Sequence, residues 1–268
     1  MYEAHFGLRE RAFAETTEPS AYVPLPARDA ALRRLRYGIE QGMGPVLAFG
    51  PPGSGKTLLA RRLTGELGGR ALHLTFPAMP AAELLAFLAD ELAEPSLASG
   101  SALAASVRRV RSALSAAASR GERTVLVVDE AHVIDDPATF EALRLLLNFS
   151  TRQTSDLTLV LVGAPELLLR LPASLADRLT ARVLVGPFSE SESAAYVEGR
   201  LRASGASRLL FDPDSLRRLH FASEGLPRRL NRLADLALLI AYARDRDQVD
   251  PVAIETAITE LAPDGLAA

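Results

Sequence analysis

Gly50-Pro51-Pro52-Gly53-Ser54-Gly55-Lys56-Thr57 decides the reading of this chain. The spacing G-x-x-x-x-G-K-[ST] is that of a loop that wraps a row of phosphates. Glycines allow the backbone to approach an anion closely with its N–H groups turned inward, and a helix starting at the end of the loop adds the partial positive charge of its N-terminus. A lysine then reaches the β- and γ-phosphates of a nucleoside triphosphate, and the Ser/Thr hydroxyl ligates Mg²⁺. The flanks agree with this reading. Residues 45–49 (PVLAF) read as a short buried strand entering the loop, and residues 57–67 (TLLARRLTGEL) carry apolar positions at helical spacing leaving it. A Gly/Pro-rich surface turn would not require that order of strand, loop and helix. Gly50 to Leu58 is therefore the expected nucleotide-binding stretch, with Lys56 on the phosphates and Thr57 on the metal. Of 30 basic residues, 29 are arginine, and Lys56 is the single lysine in the chain.

A second element has to hold and use the metal. Thr124-Val125-Leu126-Val127-Val128-Asp129-Glu130-Ala131-His132 contains the most strand-like run in the sequence. A continuous β-branched stretch suits a central parallel strand covered on both faces, and it delivers Asp129 to the carboxyl end, where ligands of open α/β sheets bind. Asp129 is expected on Mg²⁺, and Glu130 is placed to polarise a water for in-line attack on the γ-phosphate. Two carboxylates after a strand could also begin a solvated turn; behind a phosphate loop they read as catalytic machinery. The Asp-Glu-Ala-His string is shared with a class of helicases, but 136 residues after His132 with a single phosphate loop do not supply a second motor domain. His132 reads as a supporting residue rather than a metal ligand, since His5, His73 and His220 form no ligand-spaced cluster with it.

Composition bounds the rest. A chain of 268 residues with 48% hydrophobic and 24% charged residues is globular rather than disordered or collagen-like. The net charge of −3 excludes a strongly basic overall field, and the lack of cysteine excludes disulfides, thiolate metal sites and Cys nucleophiles. The first eleven residues carry Glu3, His5, Arg9, Glu10 and Arg11 where a secretory signal needs an apolar run, and no segment approaches the ~18 apolar residues of a membrane span. A cytoplasmic protein without membrane insertion is expected.

Around the motifs, residues 71–76 read as a strand, 81–93 and 102–119 as helices separated by a Pro/Ser/Gly-rich stretch, 137–150 as a helix, and 157–162 and 182–185 as strands. Five strands interleaved with helices predict an α/β fold with a parallel, doubly covered sheet. After Gly186-Pro187 the strand signal stops, and helices follow over 189–203, 213–223, 227–244 and 251–261, three of them with proline in the first turn. The expected division is thus an N-terminal segment plus nucleotide-binding α/β domain over 1–187 and an all-helical domain over 188–268.

Taken together, residues 1–13 (MYEAHFGLRERAF), Tyr37-Gly38-Ile39, the phosphate loop, the DEAH segment, Leu145-Leu146-Leu147-Asn148, Leu161-Val162-Gly163-Ala164-Pro165-Glu166-Leu167, the segments within 179–201, and Glu224-Gly225-Leu226-Pro227-Arg228-Arg229-Leu230-Asn231 resemble the ExeA/GspA-type AAA+ ATPases. The resemblance implies a P-loop AAA+ core with a helical lid, ATP or ADP as the ligand, Mg²⁺ as the cofactor, and a homo-oligomer. It also implies that Arg228 senses the γ-phosphate and that Arg178 or Arg182 supplies an arginine finger to a neighbouring subunit. A guanidinium suits both roles, because its fixed fork of donors matches phosphate oxygens. Two positions depart from the family. Ala164 stands where a polar residue follows the strand ending at Gly163, and Phe76, beside Thr75, replaces the polar residue near the end of the second strand. Turnover is then expected to be slow and to depend on Asn148, Thr75 or a partner. Family members tied to type II secretion carry a membrane segment and a peptidoglycan-binding region after the ATPase, so an envelope or export role is expected to act through a separate protein partner. Two other readings stay open: a DNA-associated regulator of the TniB/TnsC transposition type, for which Arg33-Arg34-Arg36, Arg108-Arg109-Arg111, Arg217-Arg218 and Arg228-Arg229-Arg232 are the candidate basic stripes, and a nucleotide-gated scaffold with little turnover.

Overall fold

A computed structural model describes residues 1–40, 44–92, 103–151 and 155–262. In chain order its elements are α1 (Tyr2–His5), α2 (Pro26–Glu40), β1 (Val46–Phe49), α3 (Lys56–Leu67), β2 (Arg70–Leu74), α4 (Ala81–Leu92), α5 (Leu103–Ser119), β3 (Thr124–Val128), α6 (Pro137–Leu146), β4 (Leu157–Gly163), α7 (Leu167–Arg170), α8 (Ala173–Ala176), β5 (Ala181–Leu184), α9 (Glu190–Ala203), α10 (Pro213–Ser223), α11 (Pro227–Ala243) and α12 (Pro251–Leu261). The expected helix ends at Ala93 and Ala102, the stretch between them, and residues 263–268 of the expected helical domain lie outside the described residues.

The five strands form one parallel sheet in the order β2-β3-β4-β1-β5. All five residues of β3 are buried, and six of the seven in β4, as a strand flanked on both sides and covered on both faces requires. Register is fixed by pairs such as Val46 opposite Val160 and Val125 opposite Thr158. In this order β4 separates β1 from β3, so the ends of those two strands lie about 10 Å apart at the usual strand spacing. The segments that follow them, the phosphate loop and Asp129-Glu130, therefore emerge at the same edge of the sheet. Leu47, Leu126, Leu159, Leu161, Phe140, Leu143 and the inner faces of α4 and α5 fill one apolar core here.

The chain divides into two compact units, one of Arg28–Pro51 with Lys56–Val185 and the other of Met1–Ala27, Pro52–Gly55 and Gly186–Ala268. The change at residue 186 falls next to the expected boundary, but the N-terminal segment belongs elsewhere than expected. Residues 1–27 pack with the helices rather than with the sheet: Tyr2, Phe6, Leu8, Phe13 and Leu25 share a core with Phe188, Tyr196, Leu230 and Leu238. The reason is chemical. Tyr2 O–H and the Arg11 guanidinium both donate to the Asp235 carboxylate on α11, and Arg9 N–H donates to Ser204 O at 2.8 Å. Burial and the Asp235 charge hold the Tyr2 hydroxyl well above the ordinary tyrosine range, so it stays a donor.

Helix starts in this unit follow their sequence signals. Ser189 and Glu192 form a capping box on α9, and Asp212 and Asp250 accept from Ser215 N (2.7 Å) and Ala253 N (2.8 Å) ahead of prolines at the first turns of α10 and α12.

Truncating Phe6 to Ala is expected to destabilise the helical unit by about 3–5 kcal/mol through the cavity it leaves, whereas Tyr2→Phe, which removes only the hydroxyl, costs about 1 kcal/mol. Chemical denaturation followed by circular dichroism on the two variants checks the order.

Candidate functional site

The phosphate loop leaves β1 at Gly50, whose N–H donates to Gly163 O at 3.2 Å, tying the loop to the end of β4. Gly53 and Gly55 have φ of +77° and +90°, backbone conformations that side chains resist. The loop thus uses its glycines where the sequence places them. Lys56 is buried and its ammonium donates to Pro51 O at 3.1 Å, so the single lysine folds back over the loop. Ser54 is fully buried and its hydroxyl has no hydrogen-bond partner among the described residues. Such an orphaned polar atom costs about 1–3 kcal/mol, a cost that a ligand oxygen removes.

Directly after the loop, Thr57 Oγ1 donates to Asp129 Oδ2 at 2.7 Å. Asp129 is 6% exposed, and its second oxygen accepts from Glu130 N at 2.9 Å. Its own N–H donates to Leu74 O at 2.9 Å, which prolongs the β2–β3 pairing by one step and fixes the carboxylate in direction. A hydroxyl and a carboxylate oxygen are hard donors of the kind Mg²⁺ takes when phosphates and waters complete its shell. Among the described residues no group of three or more His, Asp or Glu is placed to hold a metal ion. The residues present therefore fit MgATP.

Glu130 differs from its neighbour. Its side chain is 51% exposed and its backbone is left-handed, with φ 50° and ψ 33°, so that it turns away from the strand line. Its Oε2 lies 3.3 Å from His132 Nδ1, and the same nitrogen accepts from Ala164 N–H at 3.3 Å. Sequence reading gave His132 a supporting role without a partner; the contact joins residues that come from the ends of two different strands. Ala164 is buried directly after β4, and Phe76 is 68% exposed beyond the end of β2, which stops at Leu74. Neither side chain offers a polar atom.

The arginines separate into three situations. Arg178 donates to Asn148 Oδ1 at 2.9 Å, so Asn148 is engaged by this guanidinium. Arg182 is exposed on β5, an edge strand, and donates to Ala176 O at 2.8 Å. It lines a cleft of about 1000 Å³ together with Arg33, Arg34, Arg36, Tyr37 and Asp177. Arg228 belongs to the helical unit, which includes the turn Pro52–Gly55. Within that unit Arg228 N–H donates to Gly53 O at 3.2 Å, and a Cβ on Gly53 would come 2.9 Å from Arg228 Cβ.

A family model for an AAA domain matches residues 39–171. General secretion pathway protein A of Aeromonas hydrophila is 36% identical over 256 residues, which cover 93% of this chain. The chain spans about half of that relative, 46% of its length. Among solved structures, the Aeropyrum pernix ORC1 protein in complex with DNA superposes with a TM-score of 0.66 at 18% identity, covering 94% of this chain and 72% of that one. The Thermotoga maritima RuvB Holliday junction branch migration motor gives a TM-score of 0.63 at 19% identity, over 88% of this chain and 71% of that one. These structural likenesses establish the fold.

One titratable group beside the site has a stability consequence. His73 on β2 contacts Thr64 Oγ1 at 3.3 Å, and burial, reinforced by the Arg61 charge, holds its pKa below the ordinary value of 6.5, against a smaller upward pull from Asp129. The folded chain thus binds this proton less readily than the unfolded one, so stability is complete above about pH 6.5 and is lost as the pH falls below it. Replacing His73 with Gln is expected to flatten the decline in denaturation midpoint below about pH 6.5, measured by urea titration at fixed ionic strength.

Proposed function

From its 36% identity to general secretion pathway protein A and the match of residues 39–171 to an AAA domain, we propose that the chain is an AAA+ P-loop ATPase that binds MgATP on the phosphate loop and hydrolyses it as an oligomeric motor or regulator in assembling an envelope secretion or export system. The observation that carries the reading is the Thr57–Asp129 hydrogen bond at 2.7 Å, which sets a hydroxyl and a carboxylate side by side immediately after the loop. Thr57 and Asp129 would hold Mg²⁺, whose chemistry is to draw charge from the β- and γ-phosphate oxygens. Lys56 neutralises the same oxygens, and the loop N–H groups orient the phosphate chain. Glu130, exposed where Asp129 is buried, accepts the proton of the attacking water. Arg228 answers to the γ-phosphate, and Arg178 or Arg182 reaches the nucleotide of a neighbouring copy. The exposure of Arg182 on an edge strand favours it for that task, while the bond to Asn148 orients Arg178.

A DNA-associated role is the second reading, supported by the cleft that gathers Arg33, Arg34, Arg36 and Arg182 in one concave surface. Phosphodiester binding there would weaken steeply with salt.

Lys56→Ala is expected to weaken ATP binding about 10- to 100-fold, the equivalent of ~1.5–3 kcal/mol for a hydrogen bond to a charged group. Glu130→Gln should keep the affinity and lower turnover by about 10²- to 10⁴-fold. Calorimetric titration and phosphate release on the two variants separate binding from chemistry. Mixing Lys56→Ala chains with Arg182→Ala chains should restore part of the turnover each lacks alone; no restoration by this pair or by the Arg178→Ala pair contradicts an arginine acting between copies.

A further inference from the structure

The cleft that Arg33, Arg34, Tyr37, Asp177 and Arg182 line lies wholly within the unit of the sheet, between the outward face of α2 and the chain that runs from α8 into β5. Helical spacing makes that face polar: Leu32, Leu35 and Ile39 are buried, which turns Arg33, Arg34, Arg36 and Tyr37 outward. The two walls are fastened to each other. A Cβ on Gly38 would lie 2.9 Å from Val46 Cγ1 and 3.0 Å from Ala181 Cβ, so α2 packs as close to β1 and β5 as a glycine permits. Thr180 Oγ1 donates to Gly38 O at 3.2 Å, and Arg34 Nη2 donates to Arg182 O at 3.4 Å. The concavity is therefore preformed.

Its four guanidiniums are not equivalent. Arg36 is drawn between Glu40 at 3.6 Å and Glu66 at 3.7 Å. Arg34 and Arg182 each donate to one main-chain oxygen, Arg182 O and Ala176 O, which leaves most of the five donors of each fork. Arg33 makes no hydrogen bond or ion pair among the described residues. Against these three cations stands one carboxylate, Asp177, which likewise receives no donor among the described residues. Like charges gathered in one cleft repel, and an anion with several oxygens removes the repulsion while accepting paired N–H bonds from the forks. A phosphate chain is such an anion.

Two groups narrow it further. Tyr37 is 66% exposed and stands one helical turn beyond Arg33, so ring and guanidinium share a face of α2. An open aromatic ring beside a phosphate-binding fork offers a nucleobase a surface to stack on. Asp177 supplies acceptors that ribose hydroxyls or base amines can use and that a phosphodiester backbone running through the cleft would meet as a like charge. The volume of about 1000 Å³ is that of a small-molecule site, which spans ~300–1,000 Å³. Together these favour one nucleotide over a strand of nucleic acid.

We propose that this cleft is a second nucleotide site, separate from the phosphate loop, which takes a free nucleoside di- or triphosphate with its phosphates on Arg33, Arg34 and Arg182 and its base on Tyr37. The proposal goes beyond the assignments made to the loop and does not need them. Arg182 cannot serve the cleft and a neighbouring copy at once, so the variants that test the cleft are Arg33→Ala and Tyr37→Ala, which leave it in place.

Photolabelling of the full chain with azido-ATP and azido-GTP, followed by peptide mapping, decides the matter. Wild type should be labelled both in the loop and in the peptide that carries Tyr37. Arg33→Ala should lower the cleft label about tenfold and Tyr37→Ala about fivefold or more, with the loop label, which reports that each variant is folded, changed less than twofold. Label in the loop alone with both analogues overturns the proposal. Lys56→Ala chains should lose label from the loop and keep it in the cleft; loss from both overturns the proposal and assigns the cleft label to nucleotide held in a neighbouring copy's loop. Displacement of the cleft label by unlabelled ATP at lower concentration than by a single-stranded oligonucleotide is the expected order, and the reverse order overturns the proposal in favour of a strand. Failure of the loop assignment shows separately, as wild-type label in the cleft alone.

Discussion

The hydrogen bond from Thr57 to Asp129 is the constraint on which the site depends. It joins the first turn of the helix after the phosphate loop to the residue after the interior strand β3, and the two come together because β4 alone separates β1 from β3 in the sheet. Parallel strands place their carboxyl ends on one edge, and a helix packed back over the sheet brings its N-terminus to that edge. Asp129 is then fixed from three sides: by Thr57, by its own N–H on Leu74 O, and by Glu130 N. A buried carboxylate held this way is a rigid oxygen donor, which a metal site on a single carboxylate requires.

Rigidity at Asp129 is paired with freedom at Glu130. Adjacent carboxylates of identical chemistry can take different tasks only if their environments differ, and here one is buried in the sheet edge while the other is thrown outward by a left-handed backbone. A non-glycine residue in that conformation costs about 1–2 kcal/mol, and such strain concentrates where direction matters more than stability.

The motifs were legible because they are local. The loop glycines, the β-branched run of β3 and the proline-led helices α10 to α12 all state their structure within about ten residues, and their observed bounds lie within a residue or two of the expected ones. α6 was expected to run to residue 150 and stops at Leu146, where the chain turns to present Asn148 to Arg178. α2 went unread, since its arginines mask the helical spacing of Ala31, Leu32, Leu35 and Ile39. The placement of residues 1–27 among the helices was hidden for a different reason: it depends on Asp235, more than two hundred positions away, receiving Tyr2 and Arg11. The Glu130–His132–Ala164 contact was hidden likewise, because it exists only once the ends of β3 and β4 are side by side.

If the phosphate loop, Thr57 and Asp129 form one MgATP site, as proposed, a crystal structure with Mg²⁺ and a non-hydrolysable ATP analogue should show the triphosphate within the loop from Gly50 to Thr57, the metal ligated by Thr57 Oγ1 with Asp129 facing its coordination shell, and Ser54 Oγ satisfied. Nucleotide bound only elsewhere, or bound in the loop with the metal held away from both Thr57 and Asp129, would contradict it.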